Sequence, residues 1–243
     1  MVTLTINGRE HQAEEGTTIL ELARSRGIPI PALCNHEAVK PYGACRLCMV
    51  EIAKDGRSRL VTSCLYQVEE GLEVQTHSEK VINVRRGIVE LLLSRCPNVR
   101  VVRDLATELH IKEPLFPIEN EDEDCILCGL CARVCTEVVG VSAISLVNKG
   151  TGKEAASPFH DVANDCIGCL SCAFVCPTGA IKAEDREGYR EIPKWGVRLK
   201  LKQCETCGYL FAPEKQLQYI SKHECIPEDS LNRCQDCRSK AGG

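Results

Sequence analysis

The feature that most constrains this chain is a repeat. "CILCGLCARVC" (125–135) and "CIGCLSCAFVC" (166–176) share one spacing, C-x2-C-x2-C-x3-C. Three thiolates on one tight loop can cap three irons of a cubane, and the fourth must arrive from another direction. The start of the next helix is expected to supply it. In this pattern the fourth cysteine of each run serves the other cluster. The spacing therefore assigns Cys125, Cys128, Cys131 and Cys176 to a first [4Fe–4S] cluster. It assigns Cys135, Cys166, Cys169 and Cys172 to a second. Gly129, Gly168 and Ser171 are small enough for backbone N–H groups to approach the sulfurs. Zinc, or eight thiols with no cluster, is the rival reading, but zinc motifs rarely repeat this spacing twice.

The halves are not identical. Pro177 follows the second run, whereas Thr136 follows the first, and "VSAISLVNKGTGKEAASPFHDVAND" separates them. Within that insertion, "NKGTGKEAA" lacks the phosphate-loop pattern and reads as a turn. No G-x-G-x-x-G is present.

Eighteen cysteines in 243 residues suit either a secreted disulfide scaffold or a reduced metal-binding chain. The N-terminus, "MVTLTINGREHQAEEG", lacks the signature of an export signal, so clustered ligands in a reducing, cytoplasmic setting are expected. No stretch approaches the ~18 apolar residues of a membrane helix. The net charge is −4, with both signs interspersed and no basic tract, which argues against nucleic acid as a partner. Aromatic content of 4% implies a modest core, so bound metal is expected to add to stability.

The expected architecture is α+β, in four parts. Residues 1–77 form a small sheet crossed by a helix. "VTLTI" turns at Asn7-Gly8 into "REHQA", Thr17 caps the helix with Glu21 in its first turn, and Gly27 closes it. Strands lie in "CMVEIA" and "LEVQTH". Residues 78–122 hold a helix from Glu79 to Arg95, capped by Ser78. Val81, Val84, Ile88, Leu91 and Leu92 fall on its apolar face. A shorter helix, "RDLATELH", follows, then an acidic linker, "EPLFPIENEDED". Residues 123–183 are the two-cluster module. After "DREGYREIPKW", residues 198–238 form a last module with a flexible tail, "SKAGG".

The first part carries Cys34-x10-Cys45-x2-Cys48-x15-Cys64. Three thiols on a loop and one from a later strand suit two irons and two sulfides, a [2Fe–2S] cluster. A zinc site would more naturally show two C-x-x-C knuckles. His36, inside the loop, is either a tuning residue or a solvated histidine.

The segments "IPIPALCNHEAVKPYGACRLCMVEI", "LVTSCLYQVEEGLEVQTHSEKV", "RRGIVELLLSR" and "CGLCARVCTEVVGVSAI" resemble one family. It comprises the diaphorase-type iron–sulfur subunits of NAD-reducing or electron-bifurcating hydrogenases and the N-terminal part of the large peripheral iron–sulfur subunit of complex I. The resemblance covers roughly residues 1–183. It implies a β-grasp fold for residues 1–77 and a [2Fe–2S] cluster on Cys34, Cys45, Cys48 and Cys64. It also implies a relay of electrons between a flavoprotein NAD(P)H-oxidising subunit and a catalytic subunit of hydrogenase or formate dehydrogenase type, within a hetero-oligomer. A free-standing multi-cluster carrier is the alternative. Many members add a histidine and three cysteines after the helix. This chain has "SRCPNVRVVRDLATELH" there, so that extra cluster is not expected, and Cys96 is read as a buried packing residue.

The last module holds Cys204, Cys207, Cys234 and Cys237. Two C-x-x-C knuckles resemble a zinc ribbon, with a third [4Fe–4S] cluster as the alternative. Cys225, and less readily His223, could replace one ligand. Every main motif has its full set of four thiolates, so a catalytic role for the chain itself is not expected.

Overall fold

The computed structural model describes residues 1–118 and 120–241. Glu119, in the acidic segment, and the two terminal glycines lie outside the described residues. The chain divides into two compact units, Met1–Cys128 and Gly129–Gly243.

The first unit is built on a five-stranded mixed sheet of order β2-β1-β5-β3-β4. β1 (Val2–Ile6) and β2 (Arg9–Ala13) are antiparallel. Asn7 and Gly8 between them have φ of 50° and 77°, the pair of positive values that a type I′ hairpin requires. β3 (Met49–Lys54) and β4 (Arg57–Thr62) form a second hairpin, turning on Asp55-Gly56 with φ of 52° and 73°. β5 (Glu73–Gln75) runs parallel to β1 and antiparallel to β3. β1 alternates buried and half-buried residues. Its buried face joins Ile19, Leu20 and Leu22 of α1 (Ile19–Ser25) and Val50, Leu72 and Val74 in one core.

The N-cap of α1 is Thr18 rather than Thr17. Thr18 Oγ1 accepts from the Glu21 backbone N–H, and the Glu21 carboxylate accepts from the Thr18 N–H, a complete capping box. At the other end Gly27 donates to Arg24 O and Ile28 to Ala23 O, a Schellman closure at φ 68°.

α2 (Glu79–Arg95) is capped by Ser78. Its buried line is Val81, Arg85, Val89 and Leu93, at intervals of four. Of the expected apolar face, Val81 is buried and Ile88 and Leu92 pack against the core, but Leu91 is exposed and the centre of the face is shifted to Arg85 and Val89. The cause is that α2 and α3 (Arg100–Glu108) pack around Leu33 and Leu47 of the cysteine loop. α3 begins three residues before the expected start. The acidic segment is held against the end of α2. Ser94 Oγ donates to Phe116 O, Asn98 Nδ2 to Glu121 O, and Arg95 Nε to Cys125 O.

The second unit starts with α4 (Leu130–Glu137), followed by a hairpin of β6 (Ser145–Val147) and β7 (Glu154–Ala156) within the insertion. A short α5 (Ser171–Phe174) comes next. A four-stranded sheet has the order β11-β10-β9-β8, from β8 (Glu184–Arg186), β9 (Tyr189–Ile192), β10 (Val197–Gln203) and β11 (Leu210–Pro213). "DREGYREIPKW" is thus largely a hairpin continuous with the last module's sheet. α6 (Glu214–Glu224) and α7 (Gln235–Ala241) complete the unit. The expected flexible tail is helical as far as Ala241. Trp195, Ile192, Val197 and Ile144 centre its core.

Candidate metal centres

In the first unit the fold gathers the thiols from three directions. Cys34 and Cys45 lie on the loop after α1, Cys48 immediately before β3, and Cys64 just after β4. Cys34, Cys48 and Cys64 are buried, and Cys45 is half-buried. The Cys45 backbone N–H donates to Cys34 Sγ at 3.3 Å. Gly43 stands in the left-handed region at φ 71°, which favours glycine, and a Cβ there would also crowd Leu65 Cδ1. The thiols are electrostatically linked. The Cys34 thiol donates to Cys45, holding Cys45 down at about 6 and Cys34 well above the thiol range. Cys64 does the same for Cys48, which sits at about 6. Two of the four sulfurs are thus already anionic near neutrality, the state in which thiols bind metal. Ser63 Oγ is fully buried without an oxygen or nitrogen partner, and it bears on Cys48. An anionic thiolate ligand set supplies the acceptor this hydroxyl lacks, so the residues present fit a bound cluster.

In the repeat, the backbone repeats along with the spacing. Leu127 and Gly168 occupy matched positions with φ of 54° and 71°, and Gly129 and Leu170 match at 75° and 62°. Each half places one glycine and one leucine in the left-handed region. A leucine there costs roughly 1–2 kcal/mol. The left-handed backbone recurs at the same two points of both cysteine loops, and each loop holds one strained leucine there, a mark of a functional backbone.

Cys135, Cys166, Cys169 and Cys172 line one small cavity, whose wall is otherwise mostly apolar, with Ala143, Ile192 and Trp195 among its residues. The Ala143 N–H donates to Cys135 Sγ at 3.3 Å and the Gly168 N–H to Cys166 Sγ at 3.4 Å. Trp195 is 2% exposed, and its indole N–H has no oxygen or nitrogen partner. It bears on the Cys172 thiol. Burial pushes that thiol up to about 11, and the indole pulls against this. An orphaned donor facing four thiols fits a sulfur-rich anion in this cavity.

The fourth cysteine of each run does not come from the start of a following helix. The helix begins beside the third cysteine, and the fourth lies at its far end: Cys135 on the last turns of α4, and Cys176 just beyond α5. In the first run x3 spans one helical turn, so Cys131 and Cys135 share one face of α4. Of the set expected for the first cluster, Cys125 and Cys128 belong to the first unit and Cys131 and Cys176 to the second. That set stands on the sequence spacing.

Cys204, Cys207, Cys234 and Cys237 have all four Sγ atoms within 4.8 Å of one another, and Cys207 and Cys234 are 3.8 Å apart. The Cys234 backbone N–H donates to Cys204 Sγ at 3.3 Å and, with neighbouring amides, lowers that thiol to about 6. The Cys207 thiol pushes Cys237 up to about 12. Gly208, at φ 73°, closes the first knuckle through its N–H to Cys204 O. Cys225 is exposed at the end of α6 and outside this quartet, and His223 stacks on Tyr219. Cys96 is fully buried at the end of α2, where burial pushes its thiol to about 12. His36 accepts through Nδ1 from the Ala38 N–H, a local loop contact.

Two residues escaped the sequence reading. Arg85 is buried behind Cys48 and Trp195 is buried beside Cys172. The interval of four from Val81 to Leu93 was a signal for the first. Nothing local marked the second.

Comparison with known proteins agrees with this geometry. Residues 1–79 match the 2Fe-2S iron-sulfur cluster binding domain, and residues 161–182 match a 4Fe-4S binding domain. The chain is 36% identical over 173 residues to the NADPH-Fe(3+) oxidoreductase subunit alpha of Geobacter sulfurreducens, covering 62% of this chain and 20% of that one. It is 34% identical over 211 residues to the NADP-reducing hydrogenase subunit HndD of Solidesulfovibrio fructosivorans, covering 74% and 36%. A crystal structure of an NAD+-reducing [NiFe]-hydrogenase in the H2-reduced state superposes with a TM-score of 0.64 at 25% identity, covering 81% of this chain and 89% of that one.

The chain is similar to subunits of NAD(P)-linked hydrogenases and oxidoreductases. It is also 28% identical over 233 residues to an NADH-quinone oxidoreductase component of Rhizobium meliloti, covering 86% of this chain and 27% of that one. It thus spans only about a fifth to a third of the length of these curated relatives. No helix among the described residues is long and apolar enough to cross a membrane.

Proposed function

We propose that this chain is an iron–sulfur electron-transfer subunit that relays single electrons between a flavoprotein NAD(P)H module and a catalytic oxidoreductase subunit, in a cytoplasmic hetero-oligomer. The observation that carries this reading is the shared cavity. Cys135 of the first run faces the same space as Cys166, Cys169 and Cys172 of the second, the interleaving that a two-cluster ferredoxin module requires.

In this reading residues 1–77 are a β-grasp domain, and the mixed sheet crossed by α1 supports that. Cys34, Cys45, Cys48 and Cys64 hold a [2Fe–2S] cluster. Residues 78–122 link it to the two-cluster module of residues 123–183. Bound there, the clusters accept and release one electron at a time. The chain's own part is to supply thiolates, to exclude water with an apolar wall, and to present N–H donors to the sulfurs.

For residues 198–238 the spacing favours zinc. Four thiolates at ~2.3 Å from one tetrahedral ion stand about 3.8 Å apart, and Cys207 and Cys234 are 3.8 Å apart. In a cubane each thiolate binds a different iron, which separates the sulfurs further. A redox-silent zinc site would hold the module for docking.

The test is mass spectrometry of what co-purifies with the tagged chain, isolated anaerobically from its host. A flavoprotein with a hydrogenase or formate-dehydrogenase subunit is expected. Recovery of the cluster-loaded chain alone would replace the relay with a mobile carrier.

A further inference from the structure

Arg85 is 3% exposed, in the middle of α2. Its Nε donates to Leu47 O at 3.1 Å and its Nη2 to Met49 O at 2.8 Å. These carbonyls flank Cys48. Among the described residues no carboxylate forms an ion pair with Arg85, whereas the partly buried Arg95, Arg133 and Arg190 each have one. A buried cation without a counter-charge is costly, and removal from water lowers the Arg85 pKa to about 10. The group that pulls it back is the Cys48 thiolate. His77 also faces Arg85 and offers no negative charge. Burial and the guanidinium lower its pKa, favouring the neutral ring.

We propose that the counter-charge of Arg85 is the metal-loaded Cys34–Cys45–Cys48–Cys64 site, and that Arg85 raises the reduction potential of the [2Fe–2S] cluster held there. This rests on the iron–sulfur reading of that site. Four thiolates and two sulfides outweigh two ferric ions, so the oxidised site is a net anion. Uptake of one electron makes it more negative by one charge. A fixed cation behind Cys48 therefore favours the reduced form over the oxidised. The two carbonyl contacts hold the guanidinium at that place. Arg85 is thus a positioning residue that acts on the cluster through Cys48 and the field around it, and it needs no contact with an electron-transfer partner.

The experiment uses the full chain, loaded with iron and sulfide. The [2Fe–2S] signal is followed by electron paramagnetic resonance during potentiometric titration with dithionite as reductant. In Arg85→Gln the ratio of reduced to oxidised cluster at a fixed potential is expected to fall about tenfold, a shift of about 59 mV to more negative potential. Arg85→Lys keeps the charge and is expected to keep most of the wild-type potential. An Arg85→Gln chain that loads its cluster and titrates at the wild-type potential overturns the proposal. So does an Arg85→Lys chain that shifts as far as Arg85→Gln. If Arg85→Gln fails to load, Arg85→Lys decides alone: titration near wild type supports the counter-charge, and a full shift overturns it. A wild-type chain without any [2Fe–2S] signal is a different result, since it sinks the cluster reading itself.

Discussion

Trp195→Phe is the substitution whose outcome the second unit specifies most closely. It removes the indole N–H that lacks an oxygen or nitrogen partner and leaves an aromatic ring in the core beside Ile192 and Val197. A hydrogen bond to a charged acceptor contributes ~1.5–3 kcal/mol. Sulfur ligands become more negative on reduction, so the bond strengthens in the reduced state. A gain of about 1 kcal/mol on reduction, against ~1.4 kcal/mol and 59 mV per tenfold for one electron, corresponds to about 40 mV. The cluster on Cys135, Cys166, Cys169 and Cys172 should therefore titrate about 40 mV more negative in the variant. The cluster on Cys125, Cys128, Cys131 and Cys176 serves as the internal reference. The assay is a potentiometric titration of the full chain, followed by electron paramagnetic resonance. A fully loaded variant with both potentials at their wild-type values would refute the assignment of Trp195 as a sulfur donor. Equal shifts of both would refute its locality.

Cys135→Ala should eliminate the signal of the cluster whose other ligands are Cys166, Cys169 and Cys172, although Cys135 lies 31 residues before the first of them in sequence; loss of the other signal would reverse the interleaving. Cys207→Ser should release the zinc and leave iron content unchanged, measured by plasma mass spectrometry; a loss of about four irons would make the module a third [4Fe–4S] site. Thr18→Ala removes the capping box of α1 and should destabilise the first unit by ~1 kcal/mol, read from chemical denaturation of the loaded chain; an unchanged midpoint would mean that the cap contributes nothing there.

How much was legible in the sequence followed from how local the physics is. That Cys135 lines one cavity with Cys166, Cys169 and Cys172 was legible because the repeated spacing pairs the fourth cysteine of one run with the other run. Asn7-Gly8 was legible because few residue pairs tolerate two positive φ values. The Thr18 cap was written in the sequence as Thr18-x-x-Glu21, yet adjacent threonines left the choice one residue off. The centre of the buried face of α2 was missed, although Val81, Ile88 and Leu92 do pack inward, because a charged residue reads as surface, while Arg85 is buried on the carbonyls of Leu47 and Met49, 36 to 38 residues upstream. Trp195 is a tertiary fact of the same kind. It reaches Cys172 only because β9 and β10 return across the second cysteine loop. The exit of each ferredoxin loop into its own helix, rather than into the next, was also hidden, since x3 between the last two cysteines fits either geometry.

The central claim is that this chain holds a two-iron centre, two four-iron centres and one zinc. Iron, zinc and acid-labile sulfide, quantified on the anaerobically purified full chain, test it most directly. The account predicts about 10 irons, about 10 sulfides and one zinc per chain. Zinc in place of iron, with no labile sulfide, would contradict it.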